Sequence, residues 1–229
     1  MVMGYHDNDT AYSLASGQSD RESGRDTKIT DRFVWGSVTK VMTGSSVLRI
    51  CETGQIACDG PMHHLIDPFI AKTMPKLVSL ENLFGPEVNT VTVNDLLGMR
   101  SGIPDFDTAL PFPPPPVDPL RATIYANPAH IFSPEELLSQ PWVATGKLNF
   151  TPGTCDRKHY GNCYSSTNFV LLGLILAQHS GAESWEKFEQ ISAMPEYVQK
   201  ELKNTAFAVS SPPSSFTAVH GYDTTDYNN

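Results

Sequence analysis

Two segments of the chain place a lysine three residues after a serine. Ser37 and Lys40 belong to Ser-Val-Thr-Lys, and Ser184 and Lys187 belong to Ser-Trp-Glu-Lys. Residues three apart share one face of a helix, so a helix beginning near Ser37 would bring the lysine amine beside the serine hydroxyl. A serine hydroxyl becomes a good nucleophile when a neighbouring base takes its proton, and a lysine amine can be that base where burial or nearby charge lowers its pKa. The spacing therefore favours nucleophilic acyl transfer.

The surroundings separate the two segments, because about one chance match is expected in a chain of this length. Ser184 has an ordinary structural role as the N-cap of a helix that we expect to run to Met194. Ser37 instead follows an aromatic and a glycine, and a helical pattern from Val38 to Thr53 comes after it. At the N-terminus of that helix, backbone N–H groups and the helix dipole would stabilise a developing oxyanion. Ser37 is therefore the better candidate nucleophile.

The helix after Ser37 must be held close to its neighbours. We expect Gly54 to end it. Small residues lower its helix propensity, which indicates close packing on their face. The apolar residues that we expect to pack in the core are Val41, Val47, Leu48 and Ile50. The small residues that would let neighbouring elements come close are Gly44, Ser45 and Ser46.

Further elements follow from capping and turn signals. A strand is expected within Thr10–Gly17, followed by a polar turn over Gln18–Asp31. Thr92 and Asp95 form a capping box before a helix that ends at Ser101–Pro104. The remaining expectations are an irregular exposed loop over Asp105–Asn127 with a proline run at Phe112–Pro116, a helix starting at Ser133-Pro134, an apolar helix over Phe169–His179 ended by Gly181, and a loop-like tail after Ser210.

Composition excludes several classes of function. The chain has 229 residues, 40% of them hydrophobic and 18% charged, which is typical of a globular protein. Its net charge of −9 argues against a nucleic-acid surface and against docking on anionic lipid. The longest apolar stretch, Phe169–Ala177, is too short to span a bilayer, so no transmembrane helix is expected. The histidines are scattered and no C-x-x-C occurs, so no metal site is expected.

The four cysteines fall into two close pairs, Cys51 with Cys58 and Cys155 with Cys163. Each pair could close a short disulfide loop, which would suit an oxidising compartment, or all four could be buried thiols. The first residues given are acidic and polar, so no secretory leader is expected among them. The cysteine pairs weakly favour a location outside the cytoplasm.

The segment Phe33–Lys40 resembles the first motif of the serine β-lactamase and penicillin-binding-protein superfamily. Within it, the chain most resembles class C β-lactamases, D-alanyl-D-alanine carboxypeptidases and related esterases. Other landmarks agree in order along nearly the whole chain: the helix exit and Asp-x-Pro turn at Glu52–Pro61, the "leucine-leucine … serine-glycine" helix at Val91–Ile103, the Tyr-x-Asn motif and following helix at Tyr164–Gly173, and the late landmarks Asn204–Phe207 and His220–Tyr222.

The resemblance implies an acyl-enzyme mechanism without a metal or organic cofactor. Ser37 would attack a carbonyl, Lys40 and the Tyr164 phenol would move protons, and the Ser37 backbone N–H would supply half of an oxyanion hole. From the residues alone, a core tyrosine with one hydrogen bond is the better explanation of Tyr164, and the resemblance reverses that preference. Ser166 stands where many relatives have asparagine. It is a substrate-binding candidate that cannot present an amide, so β-lactam turnover is in doubt. The segment between Cys155 and Cys163 resembles an insertion before Tyr164.

The family's last motif, Lys/His-Thr/Ser-Gly, is absent from its usual place. His179-Ser180-Gly181 matches its letters but is interpreted as a helix C-cap. The expected fold is α+β and β-lactamase/DD-peptidase-like: one partial domain, 1–229, with sheet strands in 1–36, a helical region in 37–209 and a loop-like tail in 210–229. The chain would hold only the first strand or two of an antiparallel sheet, as if truncated at both ends, so the inner face of the sheet would be partly uncovered.

Two functions remain open. The first is a serine hydrolase acting on a peptide, an ester or a β-lactam-like amide. The second is a non-catalytic fragment or degenerate relative that keeps the fold and binds a ligand or partner. The sequence does not indicate the oligomeric state.

Overall fold

The structure, a computed structural model, describes residues 1–107, 118–155, 163–207 and 218–219. The chain divides into two compact units. The N-terminal unit comprises residues 1–36 and 211–229, and the helical unit comprises residues 37–210. The candidate residues Ser37, Lys40, Tyr164 and Ser166 all belong to the helical unit.

The N-terminal unit contains two antiparallel hairpins. Strand β1 (Val2–His6) pairs with β2 (Ala11–Ala15), and β3 (Gln18–Asp20) pairs with β4 (Arg25–Asp26). The strand expected within residues 10–17 is confirmed as β2. The sequence did not predict β1, whose glycine has little strand propensity and whose ladder depends on its partner. It also did not predict the β3–β4 hairpin inside the polar turn.

In its described residues, the helical unit contains eight helices and four short 3₁₀ turns. The first of these turns begins one residue before the unit. The helices are α1 (Thr39–Glu52), α2 (His63–Thr73), α3 (Leu80–Phe84), α4 (Val93–Leu97), α5 (Pro119–Ala126), α6 (Pro134–Leu138), α7 (Thr167–His179) and α8 (Glu196–Glu201). The 3₁₀ turns are Gly36–Val38, Pro86–Thr90, Trp185–Lys187 and Gln190–Ala193.

Helix α7 is the centre of the core. It packs against α1, α2 and α4. Nine of its 13 residues are buried, which explains why its apolar residues occur on every side instead of one stripe. The apolar helix predicted at 169–179 is thus confirmed, with a start two residues earlier. The other large, fully buried side chains of the same core are Met62, Ile66, Phe69, Ile70, Leu80, Phe84, Leu96 and Leu138.

Helix α1 approaches its neighbours closely, as its small residues predict. A side chain at Gly44 would meet Phe169 at 3.7 Å and Leu97 at 3.8 Å. The prediction that Val41 and Leu48 are buried is wrong, because they are 65% and 53% exposed. These two residues are seven apart and share the face opposite the buried one.

Two predicted helix starts are confirmed with their hydrogen bonds. At α4, the Thr92 hydroxyl accepts from the Asp95 backbone N–H and the Asp95 carboxylate accepts from the Thr92 N–H, both at 3.1 Å. At α6, the Ser133 hydroxyl accepts from the Glu136 N–H at 3.1 Å. These caps satisfy N–H groups that have no partner within the helix.

Two expected segments differ from the structure. The stretch 105–127 is not wholly an exposed loop: Asp105 is 3% exposed, and α5 begins at an Asp118 carboxylate that accepts from the Leu120 N–H at 2.8 Å. The proline run at 112–116 lies outside the described residues. The segment from Ser184 to Met194 forms two 3₁₀ turns instead of one helix, and Trp185 packs against the space left by Gly173.

No helix in the described ranges has the length and apolar character needed to cross a membrane.

Gly102 allows a close approach between two segments beside the site. Its φ is +79°, and an added Cβ would lie 2.2 Å from the carbonyl oxygen of Phe150. We expect Gly102→Ala to lower the free energy of unfolding by about 2–5 kcal/mol, since both left-handed strain and backbone displacement are unfavourable. Gly146→Ala is the control, because its φ of +71° is similar but nothing lies within 4 Å. Urea unfolding measures both, and equal losses would contradict this explanation.

Candidate active site

Ser37 lies in a tight turn at the start of α1. The preceding Gly36 has a φ of +52°, a conformation that glycine adopts readily. The 3₁₀ turn Gly36–Val38 then leads directly into α1 at Thr39. The helix predicted near Ser37 therefore begins two residues later, with one 3₁₀ turn ahead of it. This arrangement leaves the Ser37 side chain exposed to solvent.

Lys40 lies one turn after Ser37, and its ammonium points back to the serine. The Nζ atom donates a hydrogen bond to the Ser37 Oγ at 3.1 Å. The same Nζ is 5.3 Å from the centre of the Tyr164 ring and 5.8 Å from that of Phe169. Aromatic faces attract a cation at these distances, so both rings help to hold the amine in place.

Tyr164 comes from a distant part of the sequence and completes the cluster. Its Oη lies 3.1 Å from the Ser37 Oγ, across a sequence separation of 127 residues. The Lys40 amine, followed by the hydroxyls of Ser166 and Ser37, holds the pKa of the Tyr164 phenol below its ordinary value of 10.0, while burial acts in the opposite direction. The phenol is thus more readily ionised than a tyrosine in water.

Ser166 lies beside the phenol. Its Oγ donates to the Tyr164 Oη at 3.5 Å, and the residue is only 7% exposed. Ser166 is the N-cap residue of α7, yet its side chain makes no capping hydrogen bond. Its hydroxyl is therefore directed to the tyrosine and not to the helix backbone.

The second Ser-x-x-Lys segment has a different environment. Ser184 precedes a 3₁₀ turn of three residues and makes no side-chain capping bond, so the predicted capping role of its hydroxyl is wrong. Lys187 is paired with Glu183 at 2.5 Å on the surface. No aromatic hydroxyl comparable to Tyr164 contacts this segment among the described residues.

His179-Ser180-Gly181 lies at the far end of α7 from Ser166. His179 is the last residue of the helix, Ser180 is its C-cap and Gly181 has a φ of +71°. The interpretation of this triplet as a helix end is confirmed. A helix of 13 residues is about 20 Å long, so the triplet is well separated from the Ser166 end.

Disulfides join Cys51 to Cys58 and Cys155 to Cys163. Their Cα atoms are 5.6 Å and 6.0 Å apart. The second bridge ends one residue before Tyr164. In the described ranges, no group of three or more histidine, cysteine or acidic side chains is arranged to hold a metal ion.

Sequence reasoning missed two residues of this region. Phe169 supports the Lys40 amine, but its position in an apolar helix suggested only core packing. Asp105 accepts a hydrogen bond from the Ser166 backbone N–H at 2.8 Å, although it was expected in an exposed loop. No sequence signal distinguished Asp105 from a solvated loop residue.

The arrangement suits proton transfer at the Ser37 hydroxyl. An ammonium and a phenol of lowered pKa both lie within hydrogen-bond distance of one serine oxygen. A proton leaving the serine can therefore pass to an ionised phenol while the ammonium stabilises the negative charge.

Comparisons with known proteins agree with this geometry at the level of the fold. The β-lactamase family model matches residues 1–227. A penicillin-binding protein from Bacillus halodurans is similar to this chain, with a TM-score of 0.54 and 21% identity over 79% of this chain and 46% of its own. The structure of SurE with D-Leu is also similar, with a TM-score of 0.51 and 19% identity over 97% of this chain and 42% of its own.

The chain spans less than half the length of these two solved structures. At such low identities the likeness concerns the fold alone, and it supports the predicted β-lactamase-like arrangement of helices with a small antiparallel sheet. The family match rests on nearly the whole sequence, which is a much broader basis than the Ser-x-x-Lys spacing alone. The protein is a member of the β-lactamase family.

Proposed function

We propose that the protein is a serine hydrolase that acts through an acyl-enzyme at Ser37. The observation that carries this proposal is the pair of 3.1 Å contacts from the Ser37 Oγ, one to the Lys40 Nζ and one to the Tyr164 Oη. Acyl transfer requires a nucleophile with a proton acceptor in contact, and this pair of contacts meets that requirement.

In the proposed reaction, the Ser37 Oγ attacks the substrate carbonyl while its proton passes to the Tyr164 phenolate. Lys40 stays protonated and stabilises that phenolate. The tetrahedral intermediate then expels an amine or alcohol, which takes the proton from Tyr164. Water attacks the resulting ester in the same way, releases the acid and restores Ser37.

The substrate class that fits is an amide, an ester or a peptide of small size. Ser37 is exposed, so a carbonyl can approach it from solvent. Ser166 offers a short hydroxyl beside the phenol, where a longer side chain would reach further toward a substrate. We therefore propose that ester and simple amide probes are better substrates than β-lactams.

The lowered phenol pKa makes a pH-dependence prediction. Below pH 10, the ionised fraction of Tyr164 exceeds that of an ordinary tyrosine, and it rises with pH through the phenol pKa. We expect the rate of Ser37 acylation by a fluorophosphonate, followed by intact mass, to rise through this range. Tyr164→Phe removes the acceptor, so its rate should be about 10²–10⁴-fold lower and should lack this rise.

Tyr197→Phe is the matched control, because Tyr197 is 73% exposed and removed from the cluster. It should keep the rate and the pH profile of the unaltered chain. A Tyr164→Phe variant with an unchanged profile would overturn the proposed role of the phenol. A folded, unaltered chain that forms no adduct at any pH would favour the non-catalytic function.

A further inference from the structure

The segment 101–106 binds three successive residues at the start of α7. The Ser101 hydroxyl donates to the Asn168 side-chain oxygen at 2.5 Å, and the Phe106 N–H donates to the Thr167 hydroxyl at 3.0 Å. The Ser166 N–H donates to the Asp105 carboxylate at 2.8 Å. These bonds attach the start of α7, which closely follows Tyr164 in the sequence, to a loop from another part of the chain.

Of the three bonds, the one to Asp105 lies nearest in sequence to Tyr164. Asp105 is 3% exposed, and its carboxylate accepts from a backbone N–H at the start of a 13-residue helix. A carboxylate is stabilised there by the helix dipole and by a charge-assisted hydrogen bond. The Ser166 residue is thus held through its backbone, while its hydroxyl makes no capping bond and contacts the Tyr164 phenol.

The other side of Tyr164 is attached to the same loop. The Gly153 N–H donates to the Arg100 carbonyl at 2.9 Å, and the Asn149 N–H donates to the Gly102 carbonyl at 2.7 Å. The disulfide from Cys155 then reaches the residue directly before Tyr164. Tyr164 is therefore placed between two attachments, and both lead to residues 100–106.

We propose that Asp105 is a positioning residue: its carboxylate holds the Ser166 backbone and thereby keeps the Tyr164 phenol against Ser37 and Lys40. This rests on the proposed function, because it assigns Asp105 a part in the same reaction. Asp105 itself does not touch the reacting atoms. It acts through the backbone of Ser166, two residues after the tyrosine.

The direction of the phenol pKa change distinguishes positioning from other roles. If Asp105→Ala lets the phenol move away from Lys40, Ser166 and Ser37, the pKa of Tyr164 rises toward its ordinary value. If Asp105 acted only as a nearby negative charge, its removal would lower the phenol pKa, since a neighbouring anion disfavours the phenolate. A role in stability alone would leave the pKa unchanged in the folded protein.

The experiment is a titration of phenolate absorbance in the 229-residue chain, without substrate. The chain has eight tyrosines, so the Tyr164 signal is the difference between each protein and its Tyr164→Phe counterpart. We expect the phenol of Asp105→Ala to ionise at higher pH than that of the unaltered chain. Asp105→Asn keeps an acceptor oxygen without the charge, so its phenol should ionise at the same pH or lower.

Asp118→Ala is the matched control. Asp118 also accepts from a backbone N–H at a helix start, at 2.8 Å, but it serves α5. Its removal should leave the Tyr164 titration unchanged. An unchanged or lowered phenol pKa in folded Asp105→Ala would overturn the proposal.

Asp105→Glu gives a second test if Asp105→Ala does not fold, as checked by circular dichroism. Its carboxylate carries the same charge on a side chain one methylene longer, so the bond to Ser166 cannot keep its present geometry. We expect a raised phenol pKa, and an unchanged one would overturn the proposal. In the acylation assay, folded variants with a displaced phenol should react about 10²-fold more slowly.

The proposed hydrolase function and the proposed role of Asp105 can be contradicted independently of each other. The titration needs no turnover, so it tests Asp105 even if the chain never forms an adduct. A chain that is acylated normally but keeps the same phenol pKa in folded Asp105→Ala would retain the proposed function and exclude the positioning role.

Discussion

Ser37→Ala is expected to form no covalent adduct with a fluorophosphonate under conditions that fully label the unaltered chain. The reason is chemical, because the Oγ is the atom that would form the new bond and alanine has none. The change removes one exposed oxygen from a turn, so the fold should be retained. Intact mass reports the adduct directly, and circular dichroism checks the fold.

Ser184→Ala is the matched control, since Ser184 also precedes a lysine by three residues. Its hydroxyl makes no capping bond, and it directly precedes a separate 3₁₀ turn. This variant should be labelled at the same rate as the unaltered chain. Labelling that persists in Ser37→Ala and disappears in Ser184→Ala would show that Ser184 is the nucleophile and would contradict the proposal.

Lys40→Ala is expected to slow acylation by about 10²–10⁴-fold. The amine contacts both the nucleophile and the phenol ring, and it is the largest cause of the lowered phenol pKa. Its loss should therefore raise the pKa of Tyr164 as well as remove a donor from Ser37. Intact mass of samples quenched at successive times measures the acylation rate, and the phenolate titration measures the pKa of Tyr164.

Lys187→Ala separates this effect from a general loss of positive charge. Lys187 pairs with Glu183 on the surface, a contact that contributes little to stability. Its removal should change neither the rate nor the titration. Equal rates for Lys40→Ala and Lys187→Ala, in folded protein, would contradict the proposed role of Lys40.

Local signals in the sequence predicted much of the fold. The caps at Thr92 and Ser133 and the apolar run of α7 each specify their element through neighbouring residues alone. The exposure of Val41 and Leu48 could not be predicted in this way. Their burial depends on what packs across the helix, which is a property of the tertiary structure and not of the helical pattern.

The site was predicted unevenly for the same reason. Ser37 and Lys40 are one turn apart, so helical geometry alone brings them together. Tyr164 joins them across 127 residues, and only the family resemblance pointed to it. Asp105 has no motif of its own, and its importance depends on a backbone N–H 61 residues away.

The most direct test of the account is to map the fluorophosphonate adduct on the unaltered chain by tryptic digestion and tandem mass spectrometry. Trypsin cuts after Arg32 and Lys40, so the peptide 33–40 contains Ser37 as its only serine. The account predicts a single adduct on this peptide, at Ser37. An adduct on the peptide that contains Ser184, or no adduct on the folded chain, would contradict it.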